Sequence, residues 1–194
     1  MLSLRNFSRL DESQKKAVDI HEGIDSTLLI LQHRLKAKVN NSSIEIVKHY
    51  GNLPLVECYA AQLNQVFMNI ISNAIDALEE YNEKRSPEEI KAKPCQIKIC
   101  TEVIGKAECN IDKKHLSTAA ILIKIIDNGP GMSAAVRSQI FNPFFTTKPV
   151  GKGTGLGLSI SYQIVTEKHH GILECISQPG QGTEFWIQIP IDRS

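Results

Sequence analysis

The stretch AAILIKIIDNGPGM, residues 119–132, joins an apolar run to a polar segment that contains glycine. Residues 119–126 are nearly all apolar, which is typical of a strand covered on both faces. Asp127 follows directly, and Gly129 and Gly131 come next. A carboxylate at a buried strand end can accept a hydrogen bond from an exocyclic amine, such as N6 of adenine, while glycines let a flat ring approach the backbone. A plain turn is the alternative for these residues.

Helical and strand patterns on both sides of this stretch predict an α/β fold with helices packed on a mixed sheet. Further strands are expected at 16–20, 44–47, 55–58, 96–100, 172–176 and 183–189, with a short piece near Ala107. Residues 44–47 and 55–58 flank a turn at 51–54. Helices are expected from Asp19, which has capping-box spacing to Glu22, through Leu35, and over 61–80 and 156–168. Residues 82–94, and about 25 residues after Asp127, are expected to form loops.

Composition and charge argue against several classes of protein. The 194 residues are 42% hydrophobic and 22% charged, with a formal net charge of +1, which does not favour nucleic acid or an anionic membrane as main partner. No apolar run approaches the ~18 residues of a membrane span, and no signal-peptide core follows the first residues. The five cysteines form no Cys-x-x-Cys pair, so free thiols in a reducing cytoplasm are expected. The pair His169 and His170 is interpreted as a helix end rather than a metal site.

The helix expected over 61–80 carries two faces. Its buried face repeats at helical spacing and comprises Leu63, Val66, Phe67, Ile70, Ile71, Ala74, Ile75 and Leu78. A separate polar stripe comprises Asn69, Asn73, Asp76 and Glu80. Because asparagine is a mediocre helix former, two of them one turn apart suggest a ligand, and amide oxygens suit Mg²⁺. A polar boundary satisfied within the protein is the alternative.

Residues 151–158, GKGTGLGL, place a glycine at every second position. The stretch is not a Walker A loop, which ends in Gly-Lys-Ser/Thr after a longer spacing. It is not a dinucleotide fingerprint either, because the third glycine position falls on Leu156, Leu158 or Ile160. Backbone N–H groups at a helix start favour anions, so a phosphate cradle and a flexible hinge both remain open.

In combination, these motifs resemble the ATP-binding fold of the GHKL family, and within it the catalytic domain of sensor histidine kinases. Residues 141–148, FNPFFTTK, are similar to the F box of such kinases, and residues 180–185 resemble their last glycine motif. The resemblance covers about residues 18–190. It implies a two-layer α/β sandwich with a mixed β-sheet packed against helices, of the Bergerat type.

The resemblance also implies a binding site for ATP and Mg²⁺. Asn73 would bind Mg²⁺, with Asn69 near the γ-phosphate, and Asp127 would hold adenine. The other nucleotide-binding residues implied are Gly129, Gly131, Thr183, Lys148, Lys152, Gly153, Thr154, Gly155, Leu156 and Gly157. Residues 132–152 would form a mobile lid. Asp76 stands where many such kinases have a basic residue. A positive charge that would bind the phosphates is therefore not expected from this position of the helix.

Asn69 favours a kinase over an ATPase. The ATPase branches of the family have a glutamate one turn before the Mg²⁺ asparagine, and that glutamate activates water. A neutral amide cannot accept a proton near neutral pH, so Asn69 cannot act as a general base. Two alternatives are a nucleotide-responsive interaction module without phosphoryl transfer and a serine-directed kinase, although the F-box resemblance weighs against the latter.

A phosphoacceptor is expected outside this chain. His21-Glu22 begins like a family acceptor motif, but Gly23 follows and no proline comes after it. The other histidines lack that context: His33, His49, His115, His169 and His170. Residues 1–15 are expected to be the remnant of a dimerisation helix with a linker, and 16–194 the catalytic domain. The expected partners are the dimerisation and phosphoacceptor domain of its own full-length protein and a response regulator receiver domain. No nucleic acid or membrane contact by this segment is expected, and the expected location is cytoplasmic.

Overall fold

Helices pack against a five-stranded mixed sheet in the computed structural model, which describes residues 14–36, 43–105, 119–149, 151 and 153–191. The strands are β1 (Lys16–Val18), β2 (Glu45–Tyr50), β3 (Val56–Cys58), β4 (Gln96–Ile104), β5 (Ala120–Asp127), β6 (Ile172–Ser177) and β7 (Thr183–Pro190). The helices are α1 (Ile20–Leu35), α2 (Ala60–Asn82), α3 (Pro87–Ala92), α4 (Ala134–Arg137) and α5 (Gly157–Gln163), which continues into a π-helical segment at Ile164–Lys168. The predicted α/β class is confirmed.

The large sheet has the strand order β2-β4-β5-β7-β6. β2 and β4 run parallel, and the other neighbours run antiparallel. The most apolar strand, β5, therefore lies in the centre, as its composition predicts. The register pairs Asp127, the last residue of β5, with Ile97 on one side and Thr183 on the other. Asp127 is thus fixed at the end of the central strand by two neighbouring strands.

The core lies between this sheet and helices α1, α2 and α5. All eight apolar residues predicted for one face of α2 are buried, and Phe67, Ile70, Ile71 and Leu78 are at most 1% exposed. They meet inward-facing isoleucines of β5, among them Ile123 and Ile125. Each fully buried side chain of this size contributes about 1.5–3 kcal/mol relative to exposure, so burial of this face fixes the position of α2. The polar stripe of α2 points away from the core as a consequence.

The strands on either side of the turn at 51–54 do not pair with each other. β3 pairs antiparallel with β1 in a separate two-stranded sheet, whereas β2 pairs parallel with β4. The Gly51 N–H donates to the backbone oxygen of Thr101 at 2.9 Å, so the chain stays bound to β4 as it leaves β2. Pro54 has no N–H to offer a ladder. The turn is a connection between two sheets.

Other element boundaries differ from the predicted ones. The strand predicted over 16–20 ends at Val18, because Asp19 caps α1 by accepting from the His21 N–H at 2.8 Å. The segment 82–94 is not all loop, since Ser86 and Glu89 form a complete capping box at the start of α3. The loop after Asp127 likewise contains α4, capped by Ser133. The strand piece near Ala107 lies outside the described residues.

Within the described ranges, none of the helices combines the length and the apolar character that a bilayer crossing requires.

Candidate nucleotide site

A cavity of about 790 Å³ opens between α2, the end of β5, the segment 132–149 and the start of α5. This volume is in the range of small-molecule sites, about 300–1,000 Å³. Most of the predicted site residues line it: Asn69, Asn73, Asp127, Gly131, Lys148, Gly153, Thr154, Gly155, Gly157 and Thr183. Of the other described ones, Gly129 and Leu156 adjoin the lining residues in the chain. Lys152 lies outside the described residues.

Asp127 supplies a buried carboxylate to the cavity. Its side chain is buried, and the residue is 4% exposed. Burial raises the pKa of Asp127 to about 6, although N–H groups of Gly129 and Thr183 donate to the carboxylate and pull the pKa down. The Gly129 N–H lies 2.9 Å from Oδ1. Because Met132 and Phe185 line the same cavity, an apolar ring with one donor group would fit this end.

Gly131 lines the cavity and packs tightly against a neighbouring loop. Its φ is +68°, and a Cβ at this position would lie 2.0 Å from the backbone oxygen of Gln178. Any other residue would therefore be both strained and in collision with a fixed carbonyl. The requirement for glycine after Asp127 comes from packing against the loop before β7.

The two asparagines of α2 are held by different parts of the fold. Asn69 Nδ2 donates to the Gly157 oxygen at 2.9 Å and to Ser161 Oγ at 3.1 Å, which orients the amide against α5. Asn73 Oδ1 accepts from Lys148 Nζ at 3.3 Å. The Asn73 oxygen is therefore directed at a cation from the segment 132–149, one turn from the place where α2 meets α5.

Asp76, the next member of the polar stripe, joins two cations. Its Oδ2 is paired with Lys148 Nζ, and its Oδ1 accepts from Arg34 Nη2 at 2.6 Å. The same Arg34 nitrogen lies 2.5 Å from Glu79 Oε2. Burial lowers the pKa of Arg34, but the bonds to the two carboxylates outweigh it and the net shift is upward. The positive charges beside Asp76 thus come from Arg34 of α1 and from Lys148 of the segment 132–149.

Arg34 was not identified from the sequence as a site residue. It stands 42 positions from Asp76, on a helix whose pattern predicts only a packed face. No spacing rule joins two residues on different helices, so the pair becomes visible only when α1 packs beside α2.

The glycine stretch packs against the segment before it. A Cβ on Gly155, whose φ is +67°, would lie 2.4 Å from the Phe144 carbonyl carbon. A Cβ on Gly153 would lie 3.2 Å from Lys148 Cδ. Phe144 itself has a φ of 65° and is 74% exposed. The glycines therefore permit close backbone contact with the segment that carries Lys148.

His21 and His169 both make contacts within the fold, away from the cavity. His21 lies in the first turn of α1, where Nε2 is 2.9 Å from Thr101 Oγ1 and the ring stacks on Tyr50 at 4.2 Å. His169 ends the π-helical segment, as predicted, and bonds the Ile164 oxygen at 2.8 Å. Neither residue lines the cavity. No group of three or more His, Cys, Asp or Glu suited to a metal ion occurs in the part of the chain that the structure describes.

Comparison with known proteins places this geometry among ATP-binding domains. The family described as histidine kinase-, DNA gyrase B-, and HSP90-like ATPase matches residues 58–193. Sensor kinase CckA of Brucella abortus (strain 2308) is 33% identical over 187 residues, which are 95% of this chain and 18% of that protein. Sporulation kinase E of Bacillus subtilis (strain 168) is 32% identical over 158 residues, 81% of this chain and again 18% of that protein. The chain thus spans less than a fifth of either relative.

Among solved structures, the nucleotide-free catalytic domain of histidine kinase ThkA is similar to this chain with a TM-score of 0.68 and 26% sequence identity. The match covers 92% of this chain and 96% of that domain.

Proposed function

The chain belongs to the family of histidine kinase-, DNA gyrase B- and HSP90-like ATPases, and we propose that it is the ATP-binding catalytic part of a sensor histidine kinase. It would transfer the γ-phosphoryl group of ATP to a histidine on a separate domain. One observation carries the proposal: a single cavity joins a buried carboxylate, an asparagine pair on one helix and a lysine on a glycine-bordered segment. The carboxylate would bind a purine, the asparagine pair would bind the metal ion of a triphosphate, and the lysine would offset the negative charge of the phosphates.

Adenine would occupy the end of the cavity at Asp127. The carboxylate would accept a hydrogen bond from the N6 amino group of the ring. Guanine has an acceptor oxygen at the matching position, so Asp127 also selects against it. The triphosphate would then extend toward Lys148 and the backbone N–H groups of residues 153–157.

The residues at the phosphate end fit Mg²⁺. Asn73 Oδ1 already faces a cation, Lys148 Nζ, and an amide oxygen is a ligand that this hard cation accepts. Asn73 would hold the metal, with Asn69 one turn away. Protein ligands are few here, which suits an ion that usually keeps waters and takes its other ligands from phosphates. When bound, Mg²⁺ neutralises charge on the phosphates and so favours transfer.

Asn69 preserves the γ-phosphoryl group for a protein acceptor. Both hydrogen bonds from its Nδ2 require a donor, so the contact with Gly157 and Ser161 depends on the amide. A carboxylate could not donate to the Gly157 oxygen, and the amide cannot take a proton from water. Water activation is therefore not provided at this position, and catalysis rests on positioning and charge neutralisation.

Lys148 would have to move when nucleotide binds. It is paired with Asp76 and Asn73, and the incoming phosphates compete for its charge. The chain from Met132 to Gly151 that carries Lys148 would act as the lid. Its glycine border at Gly153 and Gly155 supplies the conformational freedom for that movement.

We further propose that residues 16–194 form the catalytic domain; the predicted dimerisation helix and linker of residues 1–15 lie almost wholly outside the described residues. The proposed partners are the dimerisation and phosphoacceptor domain of the full-length protein and a response regulator receiver domain. The proposed location is the cytoplasm, where ATP is available and the free cysteines Cys95, Cys100 and Cys175 stay reduced. His21 is an unsuitable acceptor because its ring is stacked on Tyr50.

Calorimetry and phosphotransfer test the proposal together. The chain should bind ATP with Mg²⁺, and Asn73→Ala should weaken that binding about tenfold or more. Labelled ATP should leave the chain unlabelled, but label the histidine of a matching dimerisation domain added in trans. ATP binding without label in trans would favour a nucleotide-responsive interaction module, and no ATP binding at all would rule out both functions. Acid-labile phosphate on His21 would contradict the separate acceptor.

A further inference from the structure

We propose that Arg34 is a positioning residue for ATP, which keeps Asp76 charge-compensated so that a triphosphate can bind beside it. The inference rests on the proposed function, because it concerns the same cavity. Arg34 does not line that cavity. It acts through a carboxylate that does.

Asp76 presents a negative charge where phosphates would lie. It lines the cavity on α2, three residues after Asn73, and 28% of its side chain is exposed. Its two oxygens are divided between two cations: Oδ1 accepts from Arg34 of α1, and Oδ2 pairs with Lys148 of the lid. One partner belongs to the packed helical layer and the other to the segment that would move.

Nucleotide binding would separate these two cations. When Lys148 turns toward the phosphates, Oδ2 of Asp76 loses that partner while Oδ1 keeps Arg34. Glu79 is bound to the same guanidinium at 2.5 Å, and Glu80 lines the cavity one turn after Asp76. Without Arg34, the carboxylates of Asp76 and Glu80, which both line the cavity, would face a ligand of high negative charge. Their repulsion would act against binding.

An arginine suits this role better than a lysine. The guanidinium stays charged at any working pH and spreads that charge over a planar group. Arg34 uses one of its nitrogens, Nη2, to bridge Asp76 and Glu79. Its side chain is 22% exposed, so the charge is only partly screened by water.

The test measures the affinities of Arg34→Gln for ATP, ADP and adenosine by calorimetry at low salt. Because the proposed effect is electrostatic, the loss should scale with phosphate charge: about tenfold for ATP, about threefold for ADP and none for adenosine. Salt at about 0.5 M should reduce the ATP effect to about twofold or less. Arg34→Lys should keep part of the ATP affinity.

Lys48→Gln is the matched control. It removes one positive charge from another ion pair of α1, with Asp25 at 2.7 Å, and Lys48 is not a lining residue of the cavity. ATP affinity should stay within about twofold of the parent chain. The double variant Arg34→Gln/Asp76→Asn should recover the ATP affinity lost by Arg34→Gln alone. Asp76→Asn alone, which keeps Arg34, should bind ATP at least as tightly as the parent.

The outcomes separate this inference from the proposed function. A parent chain that binds no ATP contradicts the proposed function itself. A parent chain that binds ATP, with Arg34→Gln equally tight for ATP, overturns the inference alone. So does an equal loss for adenosine, which would show a scaffold role, or a double variant without recovery. If Arg34→Gln does not fold, weaker ATP binding by Asp76→Asn overturns the inference.

Discussion

The surroundings of Asp127 disfavour the ionised form of its carboxyl group. It is 4% exposed at the end of the central strand, and burial raises the pKa of its carboxyl to about 6. At neutral pH it is still ionised, because hydrogen bonds from the backbone of Gly129 and Thr183 retain part of the lost solvation. A desolvated acceptor of this kind bonds strongly to a donor that reaches it, which makes Asp127 the specificity residue of the proposed adenine site.

Replacing Asp127 with asparagine should therefore affect both affinity and base selection. An amide NH₂ facing the N6 amino group offers a donor to a donor, so Asp127→Asn should weaken ATP binding by about 100-fold. The preference for ATP over GTP should fall at the same time. Calorimetry with both nucleotides at pH 7.5 measures this, and Glu184→Gln serves as control, because Glu184 bonds Trp186 and does not line the cavity. Unchanged selectivity in Asp127→Asn would contradict the assigned role.

At the scale of elements, the lid and the glycine stretch form one unit. Gly155 and Gly151 both have positive φ, at +67° and +87°. Only their surroundings differ: a Cβ on Gly155 would lie 2.4 Å from the Phe144 carbonyl carbon, whereas a Cβ on Gly151 has no described atom within 4 Å. The two positions therefore separate the cost of backbone conformation from the cost of lid contact.

Gly151→Ala should cost only the strain of a left-handed residue, about 1–2 kcal/mol, in a segment that can relax. Gly155→Ala should in addition push the lid off the glycine stretch. We expect ATP affinity to fall about tenfold or more in Gly155→Ala and at most about threefold in Gly151→Ala. Limited proteolysis should cleave the lid faster in Gly155→Ala than in Gly151→Ala. Equal effects of the two variants would mean that the lid does not pack here when nucleotide binds.

The elements that could be predicted from the sequence are those with a local signal. The buried face of α2 and the central place of β5 follow from periodicity and from an unbroken apolar run. The capping box of α3, Ser86 and Glu89, is a local signal of the same kind. The prediction missed it because the many charged residues of 82–94 favour a loop. The pairing of β3 with β1 carried no such signal, because a turn between two strand patterns favours a hairpin whether or not they belong to one sheet.

At the scale of the whole molecule, the site consists of parts that are far apart in the chain. Asn69, Asp127 and Gly155 each belong to a recognisable motif, and their meeting in one cavity follows from the order of the strands. Arg34 belongs to no motif. Its contact with Asp76 depends on how α1 lies along α2, which is determined by packing of both helices on the sheet. Long-range ion pairs of this kind cannot be read from a single sequence.

Two buried groups, His169 and Asp127, make folding stability depend on pH in opposite directions. His169 accepts from the Tyr59 N–H at 3.1 Å and bonds the Ile164 oxygen, an arrangement that fits the neutral ring. Burial lowers the pKa of His169 despite the Ile164 bond, and the nearby Lys15 and His170 lower it further. The unfolded chain therefore binds this proton more readily, so the His169 contribution to stability is present above about pH 6.5 and is lost on acidification.

Asp127 acts in the reverse sense. Its pKa rises from 3.8 to about 6 on folding, so the native state binds the proton more readily and stability falls as pH rises from about 4 to about 6. At 1.36 kcal/mol for each pKa unit, the ionised carboxylate costs about 3 kcal/mol at neutral pH. Asp127→Asn should therefore be more stable than the parent chain at pH 7 and similar to it near pH 4, while binding ATP less well.

Urea unfolding of the parent chain, Asp127→Asn and His169→Gln between pH 4 and pH 8 separates the two contributions. Relative to the parent chain, Asp127→Asn should gain stability as pH rises through the range 4–6. His169→Gln should be less stable than the parent chain above about pH 6.5. This difference should shrink on acidification, because protonation of His169 then destabilises the parent chain but not the variant. A stability difference for Asp127→Asn that does not change with pH would mean that the carboxyl is not desolvated in the free protein. The proposed adenine site would then lack the buried acceptor on which its selectivity depends.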